Sequence, residues 1–258
     1  MDEAERLHRV LEATAERLAG VLEGARFERR NGYSFMAFPT FPIRDINGVW
    51  AHSDAAAPHL EDALAEAQEL KTPFSVMVRA GKTPAVEEAA RRLGLTSTVD
   101  IPGMTVTPDE LRDPDVAGVE VIRVETADGL AQALAVGATG FGAPAEVLAS
   151  LYALEVAELE GLEHYLARED GRDVSTAIGF TIDGATGIFA VATPPEHRGR
   201  GYGAAVTAHA VRDGFAAGAD LAGLQSSPLG ESVYRRLGFR DVQPYRVLTR
   251  PPKGSQSS

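Results

Sequence analysis

The chain has 258 residues, 44% of them apolar, with 37 acidic against 25 basic side chains and a net charge of −12. Cysteine is absent, which excludes disulfides, thiolate metal sites and a cysteine nucleophile. The acidity argues against a nucleic-acid surface and mildly favours amine ligands; no stretch reaches the roughly 20 apolar residues of a membrane span, so a soluble, cytoplasmic protein of two domains is expected.

Leu7, Val10, Leu11, Leu18 and Val21, with the Thr14 methyl between them, recur at the period of a helix that buries one face. Extended segments are predicted at 25–28, 33–38 and 47–52, with Trp50 as core, then a helix over 56–70, a strand at 74–79 and a short helix at 83–93. Strand-like 96–99 and 104–106 follow, and 107–116, with two prolines and several acids, reads as a linker. The second half begins with a strand at 119–124 and a helix from about Ala127, capped by Thr126 or Asp128, to about Val136. Gly140-Phe-Gly-Ala-Pro144 breaks the chain before a helix near 145–154. Strands at 164–168, 175–182 and 187–193 are joined by Asp170-Gly171 and Asp183-Gly184 turns. A helix over 202–217, a strand at 221–226, a short helix at 231–237 and strands at 240–242 and 246–249 complete the order. The tail from Pro251 is polar and is expected to be disordered.

Between the strand ending at Thr193 and the helix from Tyr202 lies Arg198-Gly199-Arg200-Gly201-Tyr202-Gly203. Its glycines let the backbone approach a ligand, and the exposed N–H groups of the next helix carry partial positive charge. Strand, glycine loop and helix together make an anion site suited to phosphate. The glycine spacing is not that of dinucleotide folds, and no Gly-Lys-Ser/Thr ending follows. The two halves also echo each other: Glu88-Ala-Ala-Arg-Arg-Leu-Gly-Leu95 resembles Ser232-Val-Tyr-Arg-Arg-Leu-Gly-Phe239 in the same element order. The first half has Ser53-Asp-Ala-Ala-Ala-Pro58 where the second has its glycine loop. Only one phosphate site is therefore expected.

The second half, from Val119 onward, resembles the GCN5-related N-acetyltransferase (GNAT) superfamily. Arg198, Gly201 and Gly203 meet that family's pyrophosphate motif, and Tyr234 stands ahead of Gly238-Phe239 as the family's Tyr does. The resemblance implies a mixed α/β GNAT acyl-CoA N-acyltransferase fold, a central mixed sheet flanked by helices. The division is expected at 1–115, a degenerate GNAT-like domain without a cofactor motif, and 116–250, an acetyltransferase domain. It further implies acetyl-CoA as co-substrate, no metal, and an amine acceptor, with a homodimer as the assembly the family suggests. The first domain is then structural or walls the acceptor cleft.

By the same resemblance, the diphosphate sits on the backbone N–H groups of Gly199, Arg200, Gly201, Tyr202, Gly203 and Ala204, with Arg198 and Arg200 adding charge. The pantetheine arm pairs with the backbone of Val191, Ala192 and Thr193 where the fourth and fifth strands splay, and an N–H near Val191 bonds the thioester carbonyl. Ser227 is a further candidate contact to the pantetheine or a water, set against a plain turn role before Pro228. Tyr234 matches the general acid for the departing sulfur; a phenol near pKa 10 facing a thiol near 8.5 makes full transfer uphill, so a stabilising hydrogen bond suffices. For the base, Glu196, His197, His164 and Tyr165 compete with a water relayed through carbonyls. Thr139–Pro144, with Phe141 as an apolar lid, is the expected acceptor loop. The reading favoured is direct acetyl transfer to a primary amine of a small molecule; the alternatives are an acyl-CoA-binding sensor and a protein N-terminal or lysine acetyltransferase.

Overall fold

A computed structural model describes residues 1–251. The tail that the sequence marks as disordered lies, from Pro252 on, outside the described residues. The chain forms two compact units, Met1–Leu22 with Pro102–Val242, and Glu23–Ile101 with the chain from Gln243. The units are interleaved, where the sequence reading divides the chain at 115/116. The physical reason lies in one helix and two strands.

Helix α1 (Glu3–Ala19) starts at Asp2, whose side chain accepts the Glu5 N–H at 2.7 Å. Its apolar stripe buries Leu7, Val10 and Leu11. That stripe covers strands of the second half: Leu7 packs on Gly223 and Val10 on Gly187, and Arg6 pairs with Asp220. Burial of each such side chain contributes about 1.5–3 kcal/mol, so the helix belongs where those strands are.

The first unit contains β5 (Ser97–Val106, from Pro102 on), β6 (Val119–Arg123), β7 (Leu162–Glu169), β8 (Arg172–Ile182), β9 (Ala185–Ala192) and β10 (Leu221–Gln225). Within it the strands run in the order β5-β10-β9-β8-β7-β6, with β9 and β10 parallel and the other pairs antiparallel. The Asp170-Gly171 and Asp183-Gly184 hairpins carry positive φ at both residues, as type I′ turns require. Helix α4 (Ala127–Phe141) runs five residues past the expected Val136, with the Thr126 hydroxyl accepting the Gly129 N–H. The helix expected at 145–154 is broken into α5 (Ala145–Leu148), a 3-10 turn (Ala149–Tyr152) and α6 (Leu154–Ala157). Helices α7 (Tyr202–Ala216) and α8 (Glu231–Arg236) complete the unit, whose core includes Met104, Val106, Tyr165, Ile188, Val206, Leu224 and Phe239.

The second unit holds β1 (Arg26–Arg30), β2 (Tyr33–Ala37), β3 (Gly48–Ala51), β4 (Ser75–Arg79), α2 (Leu60–Glu69), α3 (Pro84–Arg92) and most of β11 (Arg240–Thr249). Its order is β1-β2-β3-β4-β11, with β3 and β4 parallel. Each unit thus takes its last antiparallel strand from the other half of the sequence: β5 pairs with β10, and β11 with β4. The sequence reading broke both strands, around Pro102 and Pro244, whereas each runs through. Pairing begins one residue after each proline, at Gly103↔Gln225 and Tyr245↔Arg79, where a missing N–H costs nothing. Trp50 is core, as expected, its indole N–H donating to the Asp45 carbonyl at 3.4 Å. Among the described residues no single helix is long and apolar enough to cross a membrane.

Candidate functional site

The parallel pair β9–β10 stays in register only from Ala185↔Leu221 to Gly187↔Gly223, after which β9 continues to Ala192 without a partner on that side. On its other side the register with β8 shifts between Ile178↔Phe189 and Thr176↔Ala192, so three steps on β9 oppose two on β8. That is a β-bulge, and Ala190 carries it at φ +49°, a left-handed conformation uncommon for a residue with a side chain. Ala190 and Val191 have no register partner on either neighbouring strand. Both residues thus lie at the bulge, at the point where the two strands part. The end of β9 is then tied down: the Ser175 hydroxyl lies 2.9 Å from both the Ala192 carbonyl and the Thr193 hydroxyl.

The glycine loop meets this strand end directly. Gly199 and Gly201 have φ of +78° and +86°, and a Cβ on Gly201 would come within 2.5 Å of Val116 Cγ2. Gly201 is the N-cap of α7 and offers no side-chain cap; the first backbone bond there runs from Ala205 N–H to the Gly201 carbonyl. The N–H groups of Tyr202, Gly203 and Ala204 are left without a backbone acceptor among the described residues, at the positive end of a 15-residue helix. A Cβ on Gly203 would sit 3.3 Å from Thr193 Oγ1 and 4.0 Å from Val191 Cγ1. The first turn of α7 and the residues 191–193 are therefore brought together, and the donor set fits a diphosphate followed by an extended chain lying along β9.

The charged side chains of the loop have partners of their own. Arg198 donates through Nη2 to the Gly140 carbonyl at 2.7 Å and through Nε to the Thr193 carbonyl at 3.1 Å. Arg200 pairs with Glu169 at 2.8 Å and lies over the Tyr202 ring, 5.1 Å from its centroid. Tyr202 is buried, edge-on to His197, and anchors the loop to the core. Ser227 is exposed; its hydroxyl accepts the Gly230 N–H at 3.2 Å and its carbonyl accepts the Gly230 and Glu231 N–H groups, which starts α8.

Tyr234, on α8, is 8% exposed and shares one buried cluster with Tyr202, Ala204 and Leu224, against which Val191 packs. Its ring tilts on Phe239 at 5.8 Å, and the close fit requires Gly230, where a Cβ would meet the Tyr234 ring at 2.7 Å. Burial alone pushes its phenol up to about 12, so the group stays a neutral donor across the working pH range. Of the base candidates, Glu196 is exposed on a 3-10 turn and His197 packs against Tyr202. His164 is buried, donating Nε2–H to the Leu151 carbonyl at 2.8 Å with its ring 5.2 Å from Tyr152, and burial lowers its pKa. Tyr165 points to the opposite face of β7, beside His209 and Asp213, and burial raises its phenol strongly. Phe141 is 51% exposed at the end of α4.

Two contributors were missed from sequence. The bulge at Ala190 hides in an apolar run with no glycine at the strained position. The stretch read as a linker packs within its unit: Val116 against Gly201, the Glu110 carbonyl against Gly238, and the Arg112 N–H on the Leu237 carbonyl at 2.9 Å.

Residues 160–241 match the family model described as an acetyltransferase (GNAT) domain. The fold is similar to that of a GCN5-related N-acetyltransferase from Kribbella flavida, with a TM-score of 0.71 at 22% identity over 96% of each chain. It is also similar to a functionally unknown conserved protein from Staphylococcus epidermidis (TM-score 0.63, 13% identity, 90% of this chain and 97% of that one). A GCN5-related N-acetyltransferase from Sphaerobacter thermophilus gives 0.60 at 20% identity over 88% of this chain and 76% of that one. No curated protein matches the sequence. The mixed α/β GNAT fold expected from the loop and Tyr234 is thereby found.

Proposed function

We infer that this chain, an acyltransferase carrying a GNAT acetyltransferase domain, moves an acetyl group from acetyl-CoA directly to a primary amine of a small molecule. The observation that carries the reading is the bulge at Ala190 beside the end of β9–β10 pairing at Gly187, facing the free first turn of α7. A fold that needed only packing would keep the two strands paired. The N–H groups of Tyr202, Gly203 and Ala204 hold the diphosphate, and the bulged backbone at Ala190 and Val191 receives the thioester end, one N–H polarising its carbonyl.

As the amine nitrogen bonds to the acetyl carbon and the carbon–sulfur bond breaks, Tyr234 donates its hydroxyl hydrogen bond to the leaving sulfur. With the phenol at about 12, stabilisation of the thiolate rather than complete proton transfer is its contribution. The ammonium proton of the acceptor passes to water at the open end of β9, since His164 and Tyr165 are engaged elsewhere. The unit of Glu23–Ile101 supplies no donor site. Release of free thiol from acetyl-CoA across a panel of small amines and peptides tests the reading. Turnover with small amines is expected; acetyl-CoA binding without release under any amine would leave an acyl-CoA-binding protein instead.

A further inference from the structure

Helix α4 ends in a Schellman closure: Gly142 at φ +64°, the Gly142 N–H on the Thr139 carbonyl at 3.2 Å and the Ala143 N–H on the Ala138 carbonyl at 3.0 Å. That closure satisfies two of the last carbonyls and leaves the Gly140 carbonyl over. Arg198, from the glycine loop, takes it, and with its Nε takes the Thr193 carbonyl at the end of β9. Two of its N–H groups are thus directed at backbone carbonyls, one of them at the negative end of α4. Gly140 is shaped for the same junction: a Cβ there would come within 2.8 Å of Ala192 Cβ and 3.0 Å of the Thr193 nitrogen.

Resting on the acetyltransferase reading, we propose that Arg198 is a positioning residue for the acceptor side of the site. Its two-pronged hold on Gly140 and Thr193 fixes residues 139–144, with exposed Phe141, against the end of β9, while the backbone of the loop holds the donor. Lysine in its place keeps the charge but has no planar fork to span two carbonyls. The two duties of the segment are then separable by substitution.

The test compares wild type with Arg198→Lys and Gly140→Ala, which loosen the junction from its two sides; retained thermal transitions establish that each folds. Amide hydrogen exchange over residues 138–144 is read without any ligand, and acetyl-CoA is titrated calorimetrically. The expected result is exchange faster by about tenfold in both variants, with the acetyl-CoA Kd changed by less than about threefold. With whichever of spermidine, tyramine or a peptide amine is turned over, kcat/KM for the amine falls about tenfold while KM for acetyl-CoA holds. Unchanged exchange in both variants overturns the proposal, as does an Arg198→Lys protein whose main defect is acetyl-CoA affinity. Wild-type protein that binds no acetyl-CoA defeats the acetyltransferase reading instead and leaves the exchange result standing, so the two failures are told apart.

Discussion

Two parallel strand pairs in this chain, each joined by a helix, have opposite fates. β3 stays paired with β4 along its whole length, from Gly48↔Ser75 to Ala51↔Val78. β9 and β10 part after Gly187↔Gly223. The connections differ in the same sense. After β9 comes the glycine loop with two residues at positive φ and three free N–H groups. After β3 comes a 3-10 turn (Asp54–His59) with no residue at positive φ, whose Ala56 N–H is used by the Ser53 carbonyl. That turn is also plugged, because Gly32 of the β1–β2 hairpin packs so closely on Ala55 and Ala56 that a Cβ would lie 2.5 Å from the Ala56 nitrogen. One extra residue in a strand and a glycine loop thus separate an opened strand pair from a closed, packed one built on the same order of elements.

The largest effect is expected from closing the open pair. Deleting Ala190 removes the bulge and returns β9 to register with β8; turnover should fall on the order of 100-fold or more, measured as thiol release at saturating acetyl-CoA. Next is Tyr234→Phe, which should lower kcat by about 100-fold with the calorimetric Kd for acetyl-CoA unchanged. Because burial holds the wild-type phenol at about 12 rather than 10, kcat should show no alkaline decline from Tyr234 ionisation below about pH 10.

In the closed pair the consequences are confined to stability. Asp54 Oδ1 accepts the Ala85 and Val86 N–H groups at the start of α3, at 2.9 and 3.4 Å. Asp54→Ala should cost about 1 kcal/mol in urea denaturation and leave acetyl-CoA binding untouched. The smallest effect is a pH dependence at His164. Its folded pKa is lowered by burial, so below the ordinary value near 6.5 the unfolded chain binds the proton more readily. Stability is therefore complete above that pH and falls on acidification, by at most about 1.4 kcal/mol per pH unit. Urea midpoints at pH 7 and 5.5 should differ more in wild type than in His164→Gln.

The glycine loop was legible because it is a local demand, a left-handed backbone wanting glycine; Tyr234 was singled out only by its resemblance to the family's Tyr ahead of Gly238-Phe239, and the small neighbour its ring needs at Gly230 was not read. Most element positions were legible too, from the apolar period and the Asp-Gly turns. What escaped depends on distant partners. The partners of Arg198, the carbonyls of Gly140 and Thr193, are ones that no side-chain pattern announces. Ala190 carries a bulge that neighbouring strands impose on an ordinary apolar run. The exchange of β5 and β11 was hidden by prolines that sit just before pairing starts, and α1 was assigned to its nearest sequence neighbours although its stripe covers Gly187 and Gly223.

If the glycine loop is the donor site, the chain holds one such site although its two architectures are similar. Calorimetric titration of the full chain with acetyl-CoA, alongside Gly201→Glu, tests it most directly. One molecule bound per chain is predicted, with affinity reduced by about 100-fold or more in the variant, since its side chain would need the left-handed φ and the space of Val116. Two molecules per chain, or undiminished binding by a folded Gly201→Glu protein, would contradict it.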